Sequence, residues 1–270
     1  MNEHDHKRLT RDGIRLHDAA DFDGMRAAGA LAAEILDAVI PLVVPGATTG
    51  AIDAEITRMV EEAGATSATI GYKGYKHASC ISVNHVVCHG IPGDKVLKDG
   101  DILNIDVTVI VDGWHGDTSR MYVAGKLPRK SERLIEVTHE ALFKGIAAVK
   151  PGNTFGDIGH AIQSFVEAHR MSVVRDFCGH GLGRVFHAPP NVLHYGRPGT
   201  GPKLEPGMFF TIEPMVNLGR PETKTLADDW TAVTRDKSLS AQFEHSVGVT
   251  EDGVEIFTLS PAGTFHPTYG

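Results

Sequence analysis

Residues 45–56 read PGATTGAIDAEI, and residues 151–162 read PGNTFGDIGHAI. Six of the twelve positions match at an offset of 106, namely Pro, Gly, Thr, Gly, Ile and Ile. In both copies a helical pattern precedes, ending in Val43-Val44 or Val149-Lys150. In both, the Pro-Gly pair stops that helix and a Thr two residues later opens another. An offset this long is not a solenoid period. It predicts a duplicated architecture, two similar halves of roughly 100 residues each, consistent with ordinary domain sizes. The halves are drawn at about 21–125 and 126–258, within one catalytic domain at 21–270.

Outward from that frame the local readings follow. DFDGMRAAGALAAEILDAVIPLVVPG reads as a helix, capped by Asp21 or Asp23 and carrying Met25, Ala28, Ala32, Ile35 and Val39 at helical spacing. A second helix is expected from about Thr49 to Glu62. Residues 1–20 are polar and charged and read as an arm or loosely packed lead-in. β-Type sequence follows the helices in each half, at Ser79–Val87 and Asp101–Val111, then at PGMFFTIEPMV and SLSAQFEHSVGV.

Composition narrows the function classes. The chain has 270 residues with 26 Lys+Arg and 34 Asp+Glu, so 26 − 34 = −8. That balance argues against nucleic-acid recognition, which needs a basic face. No apolar run approaches the roughly 20 residues that span a bilayer, and the N-terminus lacks the apolar core of a secretory signal. Three cysteines, Cys80, Cys88 and Cys178, with no Cys-x-x-Cys pair, point to a reducing compartment rather than a disulfide framework. A cytoplasmic location is expected.

The chemistry lies where acids interrupt apolar strands. Asp106 sits in LNIDVTVIV and Asp117 in WHGDTSRMY, separated by the hairpin signal Asp112-Gly113. A two-residue turn there sets Asp106 opposite Ser119 and Asp117 opposite Thr108, so both carboxylates share one face as diagonal neighbours. Glu213 in MFFTIEPMV and Glu244 in SAQFEHSVGV repeat the pattern, and His180 lies between glycines in FCGHGLGRVFH. A buried, unpaired carboxylate is costly, so such groups are expected to be protonated, paired or metal-bound. Four carboxylates and one imidazole fit a two-metal site for Co²⁺, Mn²⁺, Fe²⁺ or Zn²⁺. His89 in VVCHGIPGD and His187 in RVFHAPPNV sit among apolar residues beside Pro or Gly.

The motifs CHGIP (Cys88–Pro92), NIDVTVIVDGWHGDTSRM (Asn104–Met121), CGHGLGRVFHAPP (Cys178–Pro190), TIEP (Thr211–Pro214) and SAQFEHS (Ser240–Ser246) resemble those of type I methionine aminopeptidases. The likeness runs in order from about residue 21 to 258. It implies an α+β pita-bread fold, two pseudo-symmetric halves with an antiparallel sheet core covered by helices. It implies removal of an initiator methionine before a small second residue. Asp106, Asp117, His180, Glu213 and Glu244 match the five metal ligands, with Asp117 and Glu244 shared by both ions. His89 matches the contact to the scissile nitrogen, His187 the contact to the substrate carbonyl, and Glu213 the proton shuttle. Tyr72, Tyr75, Cys80, Phe186 and Trp230 match the methionine pocket, whose edge carries Thr69 where some relatives have Cys. Asn84, Val86 and Ser240 match a monovalent-cation position of some relatives.

Only 26 residues separate His187 from Glu213, too few for the helical insertion of type II enzymes. Prolidase-like enzymes share the five ligands but usually carry an extra N-terminal domain, and the methionine-pocket aromatics and short N-terminus argue against creatinase-like hydrolysis of a small molecule. Non-catalytic peptide-binding relatives lose ligands that are intact here. The expected partners are N-terminal Met peptides and nascent chains, with a ribosome contact; a membrane is not among them, and the chain is expected to act as a monomer.

Overall fold

The computed structural model describes residues 9–264. Helices α1 (Ala19–Ala38) and α2 (Thr49–Glu62) lead the first half, followed by β1 (Thr66–Ser67), β2 (Ser79–Val83), β3 (Val86–Cys88), β4 (Ile102–Val111) and β5 (Trp114–Val123). Helices α3 (Arg129–Ala147) and α4 (Phe155–Ala168) lead the second, followed by β6 (Ser172–Val173), β7 (Gly179–Gly181), β8 (Ala188–Val192), β9 (Phe209–Ile212) and β10 (Met215–Asn217). The remaining strands are β11 (Thr223–Thr225), β12 (Ala232–Thr234), β13 (Ser240–Gln242), β14 (His245–Val249) and β15 (Val254–Ile256).

The repeated Pro-Gly frame is a repeated structure. Gly46 and Gly152 both take the left-handed conformation, φ 93° and 90°, which glycine reaches without steric cost. Thr48 then caps α2, its hydroxyl accepting from Ala51 N at 3.1 Å. At α4 the carboxylate of Asp157 accepts from Thr154 N and its hydroxyl at 2.7 and 2.8 Å. Each turn also pairs with a returning segment. Gly46 N donates to Leu97 O and Gly152 N to Leu204 O, while Leu97 N and Leu204 N donate back to Ala47 O and Asn153 O. Those segments lead directly into β4 and β9.

The N-terminal reading needs two corrections. Helix α1 is capped by Asp18, not by Asp21 or Asp23. Asp18 Oδ1 accepts from Ala20 N and Asp21 N, and the Asp21 carboxylate accepts from Asp18 N at 3.1 Å. This reciprocal pair satisfies more free N–H groups than a lone cap, which moves the start forward. The described part of the lead-in is also packed rather than loose. Ile14 is buried in the second-half core, and the His17 ring lies parallel to Phe209 at 4.1 Å.

Strand β4 pairs antiparallel with β1, β2 and β5. Asp112 and Gly113 form the expected turn, both at positive φ, and set Asp106 opposite Ser119 and Asp117 opposite Thr108. The second half builds the sheet β15-β14-β9-β7-β8. The two sheets meet where Ser119 bridges Glu244. Alternation along the strands divides labour. Leu103, Ile105, Val107 and Val109 of β4 enter a core with Leu36, Ile52 and Ile56 of α1 and α2. Phe210 and Ile212 of β9 enter a second core with Leu134, Leu142, Ile158 and Ile162 of α3 and α4. The opposite positions, Asp106 and Thr108 on β4 and Glu213 just past β9, line a cavity between the halves. Among the described residues no helix is long and apolar enough to cross a membrane.

Candidate metal centre and substrate cavity

That cavity has a volume of about 630 Å³. Every residue expected as a metal ligand, a catalytic group or part of the methionine pocket lines it. Asp106 is mid-strand on β4, Asp117 lies on β5, His180 is the centre of β7, Glu213 follows β9, and Glu244 lies between β13 and β14. Ligand atoms of Asp117, His180 and Glu244 all fall within 4.8 Å of one another. His180 Nε2 is 3.5 Å from Asp117 and 3.8 Å from Glu213. Its other nitrogen, Nδ1, is 3.1 Å from Gly181 O, a pure acceptor, so Nδ1 carries the proton and the Nε2 lone pair faces the carboxylates.

The electrostatics are those of an uncompensated anionic cluster. Burial first, then Asp117 and Glu213, hold the Asp106 carboxyl well above the usual range. Burial and the charges of Asp117 and Glu213 do the same to Glu244. Glu213 is pushed up to about 7, chiefly by burial; the nearby Asp117 adds to this, while His180 and the Thr211 hydroxyl oppose it. Burial works against a charged His180, but the neighbouring Asp117 and Glu213 outweigh it and raise its pKa. Among the described residues the cluster's ion pairs run to His180, not to Lys or Arg. Four acids around one oriented imidazole therefore fit divalent cations, which remove the cost of gathering them.

Three of the five candidate ligands, Asp117, His180 and Glu213, are braced from behind. Thr108 Oγ1 donates to Asp117 Oδ1 at 2.7 Å. Thr211 Oγ1 donates to Glu213 Oε1 at 2.8 Å and accepts from His180 N at 3.0 Å. Gln242 Nε2 donates to the other Glu213 oxygen at 3.3 Å, and His194 Nε2 accepts from Glu213 N at 3.0 Å. Sequence reasoning missed these four as functional residues. Thr108 was available from the hairpin register, whereas nothing in the sequence links His194 to Glu213.

The rest of the cavity lining is largely aromatic. His89 stands at φ 54°, an uncommon conformation for a side chain of its size and one often held at functional sites. Its ring meets Phe177 at 5.5 Å and Trp230 at 6.1 Å, and burial lowers its pKa. His187 stacks on Tyr72 at 5.1 Å and lies 4.0 Å from His180. Burial, helped by His180, pushes it down to about 4, so it is neutral near pH 7. Tyr72 meets Phe186 and Tyr75 meets Trp230, each at 4.9 Å. The Tyr75 hydroxyl donates to Ser79 O, and Cys80 is the cross-strand neighbour of Asp106. The Thr69 hydroxyl donates to His77 O at the rim. Asn84 and Ser240 are in contact through Ser240 N donating to Asn84 O, but the Asn84 amide is committed to Asp101 and Ile102 N. Val86 pairs with Val233 beside them.

Residues 23–251 match metallopeptidase family M24. The chain is 56% identical over 257 residues to the methionine aminopeptidase of Rickettsia prowazekii, covering 95% of this chain and 99% of that one. The crystal structure of that methionine aminopeptidase superposes with a TM-score of 0.90, over 91% of this chain and 100% of that one, at 57% identity. Against the Escherichia coli K12 methionine aminopeptidase the identity is 54% over 248 residues, 91% of this chain and 94% of that one. A prolidase from Pyrococcus furiosus shares the fold, with a TM-score of 0.74 at 21% identity; the match covers 94% of this chain and 66% of that one.

Proposed function

The chain belongs to metallopeptidase family M24, and from that premise and the geometry of the cavity we propose that Asp106, Asp117, His180, Glu213 and Glu244 hold two divalent ions that serve the removal of an N-terminal methionine. The protein is a metal-dependent aminopeptidase. Ions held there would lower the pKa of water toward neutrality and polarise the scissile carbonyl. Co²⁺, Mn²⁺, Fe²⁺ and Zn²⁺ all suit this donor set, and availability decides among them.

The chain's own groups do the rest. Glu213, whose two carboxylate oxygens accept from Thr211 and Gln242, takes a proton from the attacking water and passes it to the leaving amine. His187 is neutral and keeps an N–H to donate to the oxygen that gains negative charge. His89 holds the scissile nitrogen. Tyr72, Tyr75, Cys80, Phe186 and Trp230 take the methionine side chain, for which aromatic faces and sulfur are suited partners. Initiator methionines of nascent chains, followed by a small residue, are the natural substrates of such a site. A monovalent ion beside Asn84, Val86 and Ser240 would stiffen the wall that carries His89.

The observation that carries this reading is that one cavity is lined together by four acids, an oriented His180 and the aromatic rings of Tyr72, Tyr75, Phe186 and Trp230. A panel of Met-Ala, Leu-Ala and Xaa-Pro peptides with metal-loaded enzyme tests it. Release of methionine from Met-Ala alone supports the reading, and cleavage confined to bonds before proline overturns it.

A further inference from the structure

Strand β9 ends at Ile212 and β10 begins at Met215, so the main-chain N–H of Glu213 leaves the sheet ladder inside the protein. Its partner is a side chain, His194 Nε2, at 3.0 Å. A backbone N–H only donates, so Nε2 must be the unprotonated nitrogen and Nδ1 must carry the ring proton. His194 is fully buried, and its Nδ1 finds no hydrogen-bond partner among the described residues. A buried donor left unmet costs stability, and folded proteins retain few of them. Simple packing would be served better by an apolar side chain of similar size.

The position of His194 explains why it stays. It lies two residues beyond β8, and β8 begins immediately after His187. The segment 187–194 therefore joins the histidine beside the substrate carbonyl to the backbone of Glu213. Thr211 and Gln242 fix the two carboxylate oxygens of Glu213, but both hold only the side chain. His194 holds the main chain from which that side chain springs.

We propose that His194 is a positioning residue of the reaction: as a neutral Nδ1–H imidazole it accepts the Glu213 N–H and so fixes the Glu213 carboxylate, both for holding metal and for carrying the proton. The proposal rests on the role assigned to Glu213 above. It requires an acceptor at the Nε2 position and excludes a donor there. His194→Gln keeps an oxygen near that place, whereas His194→Leu keeps bulk and loses the acceptor.

Three readouts test it on the full chain. The first is the ¹⁵N spectrum of histidine in zinc-loaded protein, with His194 assigned from the His194→Gln difference; an Nδ1–H tautomer is expected, and an Nε2–H tautomer overturns the proposal. The second is calorimetric affinity for Mn²⁺, expected to fall roughly 10–100-fold in His194→Leu and to stay within about threefold in His194→Gln. The third is the split of kcat and KM on Met-Ala-Ser, with kcat falling in His194→Leu at unchanged KM. A folded His194→Leu with wild-type affinity and kcat, or a His194→Gln as impaired as His194→Leu, overturns it. If His194→Leu does not fold, His194→Asn, whose shorter amide leaves the Glu213 N–H unmet, takes its place. Failure of the wild type to release methionine would count against the proposed function and leave the tautomer and affinity results to decide on His194.

Discussion

Asp117 and Glu244 are tied to each other's strands by reciprocal hydrogen bonds. Thr118 Oγ1 donates to the carbonyl of Glu244 at 2.7 Å, and Ser246 Oγ donates to the carbonyl of Asp117 at 2.7 Å. Glu244 N also donates to Ser119 O at 3.0 Å. Asp117 and Glu244 are neighbours because residues one and two places beyond them stitch the halves together. The candidate metal site and the seam between the halves are the same piece of structure.

Thr118→Val and Ser246→Ala therefore each leave a buried carbonyl without its donor, at a cost of about 1–3 kcal/mol. Each is expected to weaken metal binding about tenfold, because outer hydrogen bonds orient the ligands. Chemical denaturation and metal titration of the two variants check this. Unchanged affinity in both would show that the ligands hold their places without the stitch.

The two substrate histidines should separate from the metal ligands in experiment. His187→Ala is expected to lower kcat roughly 10²–10³-fold, the usual loss when one donor to a developing oxyanion is removed. His89→Ala should also lower turnover. Metal content by elemental analysis should remain that of the wild type in both. Metal lost in step with activity would make either residue a structural support of the centre.

Much of the site was legible in the sequence, for an identifiable reason. Asp106 and Asp117 lie on one hairpin, and a two-residue turn leaves only one register, so their facing partners followed from counting. The duplication at Pro45 and Pro151 was legible because left-handed glycines and capping threonines are local requirements. Its further extent was not seen. Asp106 and Glu213 stand at equivalent places in the halves, each after a Leu97 or Leu204 that pairs back to its Pro-Gly turn. Gly100 and Ile105 match Gly207 and Ile212 between those leucines and the acids, but at an offset of 107 rather than 106, and that one-residue shift hid the match. His194, Gln242 and the packed Ile14 act through contacts distant in sequence, which no local pattern reports. The cap at Asp18 was missed because three acids compete within six residues.

The methionine pocket makes its own prediction. Trp230 packs on Tyr75 and meets the His89 ring edge-on, so Trp230→Ala removes cavity wall without removing a candidate ligand. A loss of roughly 10–100-fold in kcat/KM for Met-Ala is expected, the range for one side of an apolar subsite. Wild-type kinetics in this variant would place the methionine elsewhere.

Away from the site, Arg120 of β5 is paired with Asp37 of α1, with side chains 5% and 12% exposed. Burial opposes the Asp37 charge, but Thr264, Arg120 and Ser260 together hold its carboxyl below the ordinary value. Its folded pKa is thus lower than its unfolded one. The pair's contribution is present in full above the unfolded pKa, near 4, and is lost as pH falls through the folded value. Asp37→Ala is expected to cost about 3–5 kcal/mol at pH 7, since Arg120 is left buried and unpaired. The difference from wild type should shrink in urea melts below about pH 4. A constant difference across that range would remove Asp37 ionisation from the account.

The central claim is that five side chains from two related halves hold divalent metal and that this metal serves methionine release. The most direct measurement is methionine released from Met-Ala-Ser by chelator-stripped protein as Mn²⁺ is added back, with bound metal counted in the same samples and Asp117→Asn run alongside. The account predicts no release from stripped protein, release rising with bound metal to two ions per chain, and neither binding nor release restored in Asp117→Asn. Methionine release that is indifferent to stripping, or that Asp117→Asn performs as well as the wild type, would contradict it.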